Sequence, residues 1–442
     1  MTLARAFVDR LRNAQTDHHT IAQGMAWGAL FVLLASLARA AKEMAIAYRY
    51  GVGAEVDAYL FVFNLIIWPV GVWFSVLSVV LVPLAARIQQ GPSAEFSFFR
   101  AELLGFTLLI GLALSFLGWL GLPMLLRSSW TGLPAPTVAV ATSMVPILVV
   151  LFPLGVVISL FSAWMMAAGR HVNTLLESVP ALVLLLAVLA FPSGGAEPLV
   201  WGTLAGFAFH MATLAVPLGR RGEIEAPRFS RRSIQWPAFW QGFGIMLAGQ
   251  ALMSFTGIID QFFAASLGMG AVATLSYANR ILMLILGLGA TAVSRATLPV
   301  FSQVQAQGGR QLRQIATHWV RFLFVLGVGA MIVGWWLAPW GVKLLFERGA
   351  FTAHDTEMVT EVFRYGLTQV PFYFSGMVLV SLLASQGRYR AIAAVAGINL
   401  VVKLAANFSI VPWLGMKGIV LGTAFMYAVS LMLCWFTVQR TR

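Results

Sequence analysis

The sequence predicts an all-α polytopic membrane protein, with about twelve transmembrane helices arranged as two parallel six-helix halves around a central cavity. Its composition, the length of its apolar runs and an internal repeat lead to this prediction. Of the 442 residues, 60% are hydrophobic and only 10% are charged, so the chain cannot cover a folded surface with polar groups. A membrane β-barrel would show alternating segments of about 10 residues instead of continuous runs, and helices are therefore expected.

The apolar runs are long enough to define individual membrane spans. A helix needs roughly 20 predominantly apolar residues to cross the hydrocarbon core, and the sequence contains twelve such runs. The predicted spans are 21–47, 57–86, 101–126, 136–168, 173–192, 197–218, 236–266, 271–303, 315–345, 357–385, 390–412 and 416–438.

The distribution of basic residues predicts the orientation of these spans. If both termini face the cytoplasm, eighteen of the 29 Lys and Arg residues lie on the inner side and four lie at outer ends, as the positive-inside rule requires. The anionic inner leaflet then explains the net charge of +13, and no nucleic-acid partner is needed. Residues 1–20 carry apolar and basic positions at helical spacing, which predicts an amphipathic helix on the inner surface.

The sequence also repeats itself at a nearly constant offset. Glu43 aligns with Asp260 at an offset of 217 residues, and Pro153 aligns with Pro371 at an offset of 218. Each match is weak alone, but their common offset indicates a duplication of six spans. Because six is an even number of spans, the two copies have the same orientation in the membrane.

The duplication predicts the domain organisation and a class of function. We expect a six-helix N-terminal lobe at 21–218, a basic cytoplasmic linker at 219–235 and a six-helix C-terminal lobe at 236–442. Two parallel halves form a cavity at their interface, and rocking of the halves exposes it to each side in turn. The sequence has no HExxH, Walker or Ser/His/Asp pattern and indicates no metal or cofactor, so it predicts a transporter rather than an enzyme.

Charged residues inside the predicted spans locate a candidate binding site. Each costs about 2.5–3.5 kcal/mol at a helix centre, and cations outnumber carboxylates there. A cationic cavity favours an anion, and phosphate is the anion that lysine and arginine together hold best. Arg39 and Glu43 are one turn apart and can neutralise each other, whereas Lys42 and Arg280 have no such partner within their own helices. The candidate substrate-binding residues are Lys42, Arg280, Arg39 and Arg364.

Structural roles compete with functional ones for several polar residues in the spans. Arginines near the inner ends of helices can extend their heads to the membrane surface. Glu177 in the fifth span fits a structural and a functional role equally well. His210 in the sixth span is explained more readily as a packed polar residue than as a ligand.

Four stretches of the sequence resemble a known family: "KEMAIAYRYGVGAEVDAYLFVFNL", "SYANRILMLILGLGATAVSRATLPVF", "LLFERGAFTAHDTEMV" and "QGRYRAIAAVAGINLVVK". They are similar to the MurJ/MviN lipid II flippase family of the MOP superfamily, which also contains O-antigen and exopolysaccharide flippases and the MATE drug exporters. The resemblance implies a MOP/MATE-like fold in the bacterial inner membrane. It also implies that a polyprenyl-diphosphate-linked saccharide, either lipid II or an exopolysaccharide or O-antigen-type precursor, is flipped from the inner to the outer leaflet. Implied partners are membrane lipids and, as candidates, cell-envelope glycosyltransferases.

The resemblance assigns roles to individual residues. Lys42 and Glu43 correspond to an Arg-Asp pair in the first helix of the family, and Arg280 corresponds to an arginine proposed to bind the diphosphate. Asp57 matches the aspartate that opens the second helix. Two departures favour a lipid-linked saccharide in general over lipid II itself: Val70 stands where the family has an arginine, and twelve helices are predicted where the family usually has fourteen.

The resemblance also implies a site for energy coupling. Some family members hold a sodium ion between an aspartate of the seventh helix and an asparagine and an aspartate of the eleventh; here these positions read Asp260, Asn399 and Lys403. An ammonium group in place of a carboxylate repels sodium and can pair with Asp260. We therefore predict that Lys403 replaces the ion and that transport is independent of sodium. The predicted coupling and charge network comprises Glu43, Asp57, Asp260, Asn399 and Lys403.

Two other functions remain compatible with parts of the sequence. A MATE-like exporter of cationic drugs would share the duplicated twelve-helix arrangement, but its cavity should be rich in carboxylates. A non-transporting scaffold for cell-envelope polysaccharide synthesis would use the basic inner loops, but it would not require Lys42 and Arg280 within the membrane.

Overall fold

The computed structural model describes residues 31, 33–88, 93–170, 173–192, 194–306 and 312–439. Throughout this described part, all regular structure is helical, and the predicted all-α fold class is confirmed. The predicted surface helix at 1–20 lies outside the described residues.

The helices follow the predicted spans in order, and three spans consist of two helical pieces each. A 3₁₀ turn, Leu367–Gln369, joins the two pieces of the tenth span. The helices are α1 (33–50), α2 (Ala54–Ile88), α3 (Ser93–Arg127), α4 (Ala135–Leu148), α5 (Leu151–Ala167), α6 (Asn173–Leu176), α7 (Val179–Ala190), α8 (Glu197–Arg220), α9 (Trp236–Ala265), α10 (Ala271–Ala306), α11 (Leu312–Phe346), α12 (Ala353–Gly366), α13 (Val370–Ser385), α14 (Tyr389–Leu414) and α15 (Met416–Gln439). We call α1–α8 the N-terminal half and α9–α15 the C-terminal half.

The lengths and compositions of the helices are those of a multi-pass membrane protein. Among the described residues, eight helices are long and apolar enough to cross a membrane, or nine if the bent pair α4 and α5 forms one span. Helices α9 and α10 occupy the predicted seventh and eighth spans, and α1 occupies the described part of the predicted first span, of which residues 21–30 and 32 lie outside the described residues. In α11 only 17% of the most apolar section is buried, against 56% in the span of α12 and α13, so α11 lies at the periphery and the latter span lies at the centre.

A bend in the fourth span lies next to Pro153, one of the two prolines that align in the sequence repeat. The axes of α4 and α5 differ by 52°, and Pro153 follows the break by three residues. Proline has no N–H and therefore cannot bond to the carbonyl four residues before it, which is that of Val149. The N–H of Phe152 and Ser115 Oγ on α3 donate to this carbonyl instead, at 3.1 Å and 3.0 Å, so the bend does not leave a buried acceptor without a donor.

The duplication is visible in a contact that each half makes once. A Cβ atom on Gly111 of α3 would lie 2.6 Å from the Cα of Pro153, and a Cβ atom on Gly327 of α11 would lie 2.6 Å from the Cα of Pro371. Both glycines therefore allow a helix to approach the backbone of its neighbour beside the proline. The two prolines that align in sequence thus have the same surroundings in the two halves.

The halves contact each other closely at the end that the charge pattern predicts to face outward. Gly51, in the turn after α1, has a φ of +56°, and a Cβ atom there would lie 2.4 Å from the carbonyl oxygen of Ala350. The backbone N–H of Ala350 donates to the carbonyl of Tyr48 at 2.7 Å, and Tyr277 Oη donates to the carbonyl of Gly51 at 3.2 Å. The glycine turn that precedes the second span is therefore a contact between the halves.

The basic linker between the halves is bound to the N-terminal half. The buried carboxylate of Glu102 on α3 accepts hydrogen bonds from Ser230 Oγ, the N–H groups of Arg232 and Ser233, and Trp236 Nε1, at 2.5–3.0 Å. Four donors on one carboxylate fix the backbone of the linker against α3.

An ion pair holds the start of the same linker. Arg170, after α5, donates two hydrogen bonds to the carboxylate of Glu223. These bonds favour the charged carboxylate and hold the pKa of Glu223 below its ordinary value. The linker is therefore tied at both of its ends to the predicted inner ends of N-terminal helices.

Candidate functional site

A cavity of about 390 Å³ lies mainly within the N-terminal half. Helices α1, α2, α5, α7 and α8 supply its walls, and α10 of the C-terminal half supplies one residue, Arg280. Its volume is within the range of about 300–1,000 Å³ that small-molecule sites occupy. The charged or ionisable residues that line it are Arg39, Lys42, Tyr59, Glu177, His210 and Arg280.

Lys42 and Arg280 meet at a shared carboxylate on the edge of this cavity. Glu43 Oε1 lies 2.7 Å from Lys42 Nζ and 3.1 Å from Arg280 Nε. The Glu43 side chain is only 9% exposed, whereas that of Arg280 is 45% exposed. Two cations from different halves therefore share one anion, and donors of the arginine remain available to the cavity.

This arrangement corrects the pairing expected from sequence. Glu43 does not pair with Arg39, whose Nη2 donates to Ser36 Oγ at 3.3 Å. Glu43 pairs instead with Lys42, for which no partner on α1 was expected. Neighbouring residues project in different directions from a helix, but the long lysine side chain reaches back to the adjacent carboxylate. Arg39 still lines the cavity, so three cations face it against the single lining carboxylate of Glu177.

Val70, which stands where the resembled family has an arginine, packs against a glycine of the facing helix. Val70 lines the cavity, and a Cβ atom on Gly155 of α5 would lie 2.7 Å from its Cγ1. The valine therefore fills the space above a glycine on the facing helix. The surplus of positive charge in this cavity comes from α1 and α10 and not from α2.

Asp57 lies outside the cavity, at the contact between the halves. It is fully buried, and its carboxylate accepts hydrogen bonds from the backbone N–H of Gly270 at 2.5 Å and of Ala273 at 2.7 Å. These are free donors at the start of α10, and a carboxylate there is favoured by the helix dipole. Asp57, at the start of α2, therefore caps a helix of the opposite half.

The C-terminal half contains a separate buried charge network. Lys403 Nζ on α14 lies 2.7 Å from Asp260 Oδ1 on α9, and it also donates to Thr423 Oγ1 at 2.5 Å and to the carbonyl of Ile419 at 2.8 Å. The lysine side chain is fully buried. The pairing predicted between Asp260 and Lys403 is thus present, and three oxygen atoms surround the ammonium group.

The amide partner in this network differs from the one expected. Asn399 does not reach Asp260, because its Nδ2 donates to Ser430 Oγ on α15 at 3.1 Å. Asn407 instead donates to Asp260 Oδ1 at 3.0 Å. Asn407 follows Lys403 by four residues, so helical spacing could have identified it, whereas Thr423 on another helix has no such signal in the sequence.

Arg364 is not brought to the cavity. Its Nε donates to the carbonyl of Trp335 on α11 at 2.9 Å, and its guanidinium lies 5.7 Å from the centre of the Trp335 ring. This arginine therefore joins α12 to the peripheral helix α11. In the described part of the chain, no group of three or more His, Cys, Asp or Glu residues is placed to hold a metal ion.

Known proteins are similar to this one over most of the chain. The sequence model of the family described as lipid II flippase MurJ matches residues 46–442. A probable lipid II flippase MurJ of Helicobacter pylori strain J99 is 31% identical over 203 residues, which cover 45% of this chain and 43% of the relative. The corresponding protein of Bdellovibrio bacteriovorus is 26% identical over 244 residues, which cover 53% and 46%. The chain thus spans less than half the length of the curated relatives that it matches.

Two solved structures have a similar fold. The lipid II flippase MurJ in its inward closed conformation superposes with a TM-score of 0.82 at 17% identity, covering 94% of this chain and 87% of the other. An inward-facing multidrug resistance MATE family transporter of the MOP superfamily gives a TM-score of 0.75 at 17% identity, covering 92% and 94%. At this identity the two superpositions show a shared fold.

Proposed function

Since the chain belongs to the lipid II flippase MurJ family, we propose that it flips a polyprenyl-diphosphate-linked saccharide from the inner to the outer leaflet by alternating access. The observation that carries this proposal is the convergence of Lys42 and Arg280 from opposite halves on one cavity. The substrate is lipid II or a related exopolysaccharide or O-antigen-type precursor.

In this proposal the diphosphate binds between Lys42 and Arg280. The guanidinium matches two phosphate oxygens geometrically, while the ammonium group acts as a compact point charge. Arg39, which also lines the cavity, adds positive charge. The saccharide occupies the rest of the cavity, and the polyprenyl chain remains in the lipid.

Binding of an anion also affects the contact between the halves. Glu43 links α1 to Arg280 on α10, and an incoming diphosphate competes with Glu43 for the same donors. Substrate therefore weakens one link between the halves while it neutralises the cavity. Opening to the other side further requires separation of the contacts made by Asp57 and by Gly51.

We assign energy coupling to the network around Lys403. Its ammonium group already neutralises Asp260 and fills a position with three oxygen neighbours. A sodium ion in this position would have to displace a buried charge pair, which is strongly unfavourable. Transport in this proposal is therefore independent of sodium and is driven by the membrane potential, by protons, or by supply and removal of substrate.

The proposed topology places both termini in the cytoplasm and the protein in the bacterial inner membrane. The basic linker then lies at the inner surface, where anionic lipids favour it. Cell-envelope glycosyltransferases that supply the substrate are candidate partners on that side. Export of a cationic drug, as in MATE proteins, is less favoured because three cations line the cavity.

Native mass spectrometry of the purified protein tests this proposal. Lipid II, a polyprenyl-diphosphate saccharide of another kind and a cationic drug are each presented to the wild type and to Lys42→Ala and Arg280→Ala. Arg364→Ala is the matched control, since it removes an arginine that lies outside the cavity. We expect saccharide lipids to bind the wild type and the control, and to bind both other variants at least about tenfold more weakly. Binding of the drug alone, or binding unaffected by Lys42→Ala and Arg280→Ala, would contradict the proposal.

A further inference from the structure

The cavity has a second polar region, distinct from the cations of α1 and α10. Ser162 on α5, Glu177 between α6 and α7, and His210 on α8 all line it, and we call these three residues the polar wall. All three belong to the N-terminal half, and none of them was assigned to the substrate site above.

His210 is the most informative member of the polar wall. The residue is only 4% exposed, and its Nε2 atom has no hydrogen-bond partner within the described part of the chain. A buried polar atom without a partner costs about 1–3 kcal/mol. His210 lines the cavity, so a group that enters the cavity beside it can supply the missing partner.

The position of His210 is fixed by close packing of its helix. A Cβ atom on Gly206, one turn earlier on α8, would lie 2.9 Å from the backbone of Pro180 on α7. Helices α7 and α8 therefore approach closely beside the polar wall, because glycine leaves room for the neighbouring backbone. Such rigid placement is what a binding group requires.

Glu177 and Ser162 supply complementary chemistry. The Glu177 carboxylate accepts one hydrogen bond from Asn173 Nδ2 at 3.3 Å, which leaves acceptor capacity for other donors. The Ser162 hydroxyl can donate and accept, as can a neutral imidazole. The charged group that acts on Glu177 is Arg39 of α1, and the remaining oxygen sites of the carboxylate accept bonds from hydroxyl and amide N–H groups but not from a phosphate.

We propose that Ser162, Glu177 and His210 form a subsite for the sugar of the substrate, and specifically for its hydroxyl and N-acyl groups. This inference rests on the proposed flippase function and deepens it. The polar wall and the pair Lys42–Arg280 line one continuous cavity, so a single diphosphate-linked sugar reaches both. The polar wall of the N-terminal half then binds the sugar, while the cations bind the diphosphate. In this proposal His210 binds ligand, whereas the sequence by itself favours a packed polar residue.

Aromatic residues that line the same cavity favour a sugar as the ligand. Phe63 and Phe207 both line it, with ring centroids 6.4 Å apart. Small-molecule sites combine such apolar and aromatic walls with a few placed polar groups. The C–H face of a pyranose can therefore contact the rings while its hydroxyl groups face the polar wall.

The test compares two lipids that differ only in the sugar. Affinities for polyprenyl diphosphate and for the same lipid with an N-acetylated sugar are measured on the full chain by native mass spectrometry. The variants are His210→Leu and Glu177→Gln, with His318→Leu and Glu361→Gln as matched controls outside the cavity. We expect the wild type and controls to prefer the sugar-bearing lipid by about tenfold or more. Both variants should lose most of this preference without weaker binding of the bare lipid.

Each other outcome overturns a defined claim. Equal binding of both lipids by the wild type, a preference that both variants retain, or a parallel loss of both lipids in the variants would overturn the sugar subsite and leave the flippase proposal standing. Failure of the wild type to bind either lipid would overturn the proposed function itself. Glu177→Gln is isosteric, so it decides the question even if His210→Leu does not fold.

Discussion

Glu43 Oε1 on α1 lies 3.1 Å from Arg280 Nε on α10 and thereby joins the two halves at the edge of the cationic cavity. Lys42 Nζ lies 2.7 Å from the same oxygen atom. The carboxylate that aligns with Glu43 in the sequence repeat, Asp260, pairs within its own half with Lys403. The duplicated positions therefore have different roles: one carboxylate connects the halves, and the other stabilises one of them.

Glu43→Gln should strengthen binding of polyprenyl diphosphate. The carboxylate competes with the diphosphate for Lys42 and Arg280, and loss of a charge-assisted bond of about 1.5–3 kcal/mol releases these donors. We expect about tenfold tighter binding by native mass spectrometry. Glu361→Gln, which breaks an ion pair with Lys417 outside the cavity, should leave the affinity unchanged, and weaker binding by Glu43→Gln would refute the competition.

Asp57→Ala should loosen the predicted outer end of the molecule. The substitution leaves the N–H groups of Gly270 and Ala273 without their acceptor, at a cost of about 1–3 kcal/mol for each buried group. Spin labels at the exposed positions Trp130 and Trp413 report the distance between the halves. We expect the distance distribution to move to longer values.

A second variant and the single cysteine of the chain make the distance measurement on Asp57 more specific. Asp57→Asn retains one acceptor oxygen and should give an intermediate shift, and the single cysteine, Cys434, is buried and should not take up label. An unchanged distance distribution in Asp57→Ala would show that the cap does not hold the halves together.

Lys403→Ala should destabilise the protein and make its stability dependent on sodium. Removal of one partner from a buried ion pair costs about 3–5 kcal/mol, because Asp260 would remain charged without its partner. The vacated position has the oxygens of Asp260, Thr423 and Ile419 around it, and a sodium ion can occupy it. We expect a lower thermal midpoint in choline chloride that sodium chloride partly restores.

Wild-type protein provides the first comparison for that measurement, since its midpoint should not distinguish the two salts. Lys417→Ala removes a lysine from an exposed ion pair and should have little effect in either salt. A sodium-dependent midpoint in the wild type would contradict the assignment of the ion position to Lys403.

Glu102→Ala should release the linker from α3. Its carboxylate accepts four hydrogen bonds from the linker and from the start of α9, and loss of only about 1.4 kcal/mol would raise the open fraction tenfold. Cleavage by trypsin after Arg228, Arg231 and Arg232 follows this open fraction. We expect cleavage at least about tenfold faster than in wild type or in Glu95→Ala, whose exposed glutamate begins the same helix; equal rates would mean that other contacts hold the linker.

Much of the architecture could be predicted because it depends on local properties of the sequence. Apolar runs long enough to cross a membrane must form helices, since the bilayer supplies no partners for backbone groups. The repeat of Pro153 at Pro371 was visible as a spacing, and the structure gives both prolines the same glycine neighbour. The functional meaning of the charged residues could be predicted only in part.

The candidate site shows where sequence reasoning fails. Lys403 and Asp260 were expected to pair because two isolated buried charges are unfavourable, and they do pair. The expected pair of Arg39 and Glu43 was based on helical spacing alone, but Arg280 on another helix competes for the same carboxylate. For His210 the sequence favours a packed polar residue and the residue is buried, but no periodic pattern in the sequence shows that it also lines a cavity.

By itself, the sequence determined the class of protein, the order of the spans, the duplication and the positive sign of the cavity, because composition, periodicity and charge are properties of the chain. The tertiary structure alone decided which charges meet, that Arg364 joins two helices, and that Glu177 and His210 share a cavity with Lys42 and Arg280. Such relations depend on how helices distant in sequence rotate and approach one another. The energy of a buried charge or hydrogen bond is set by those distances and not by position along the chain.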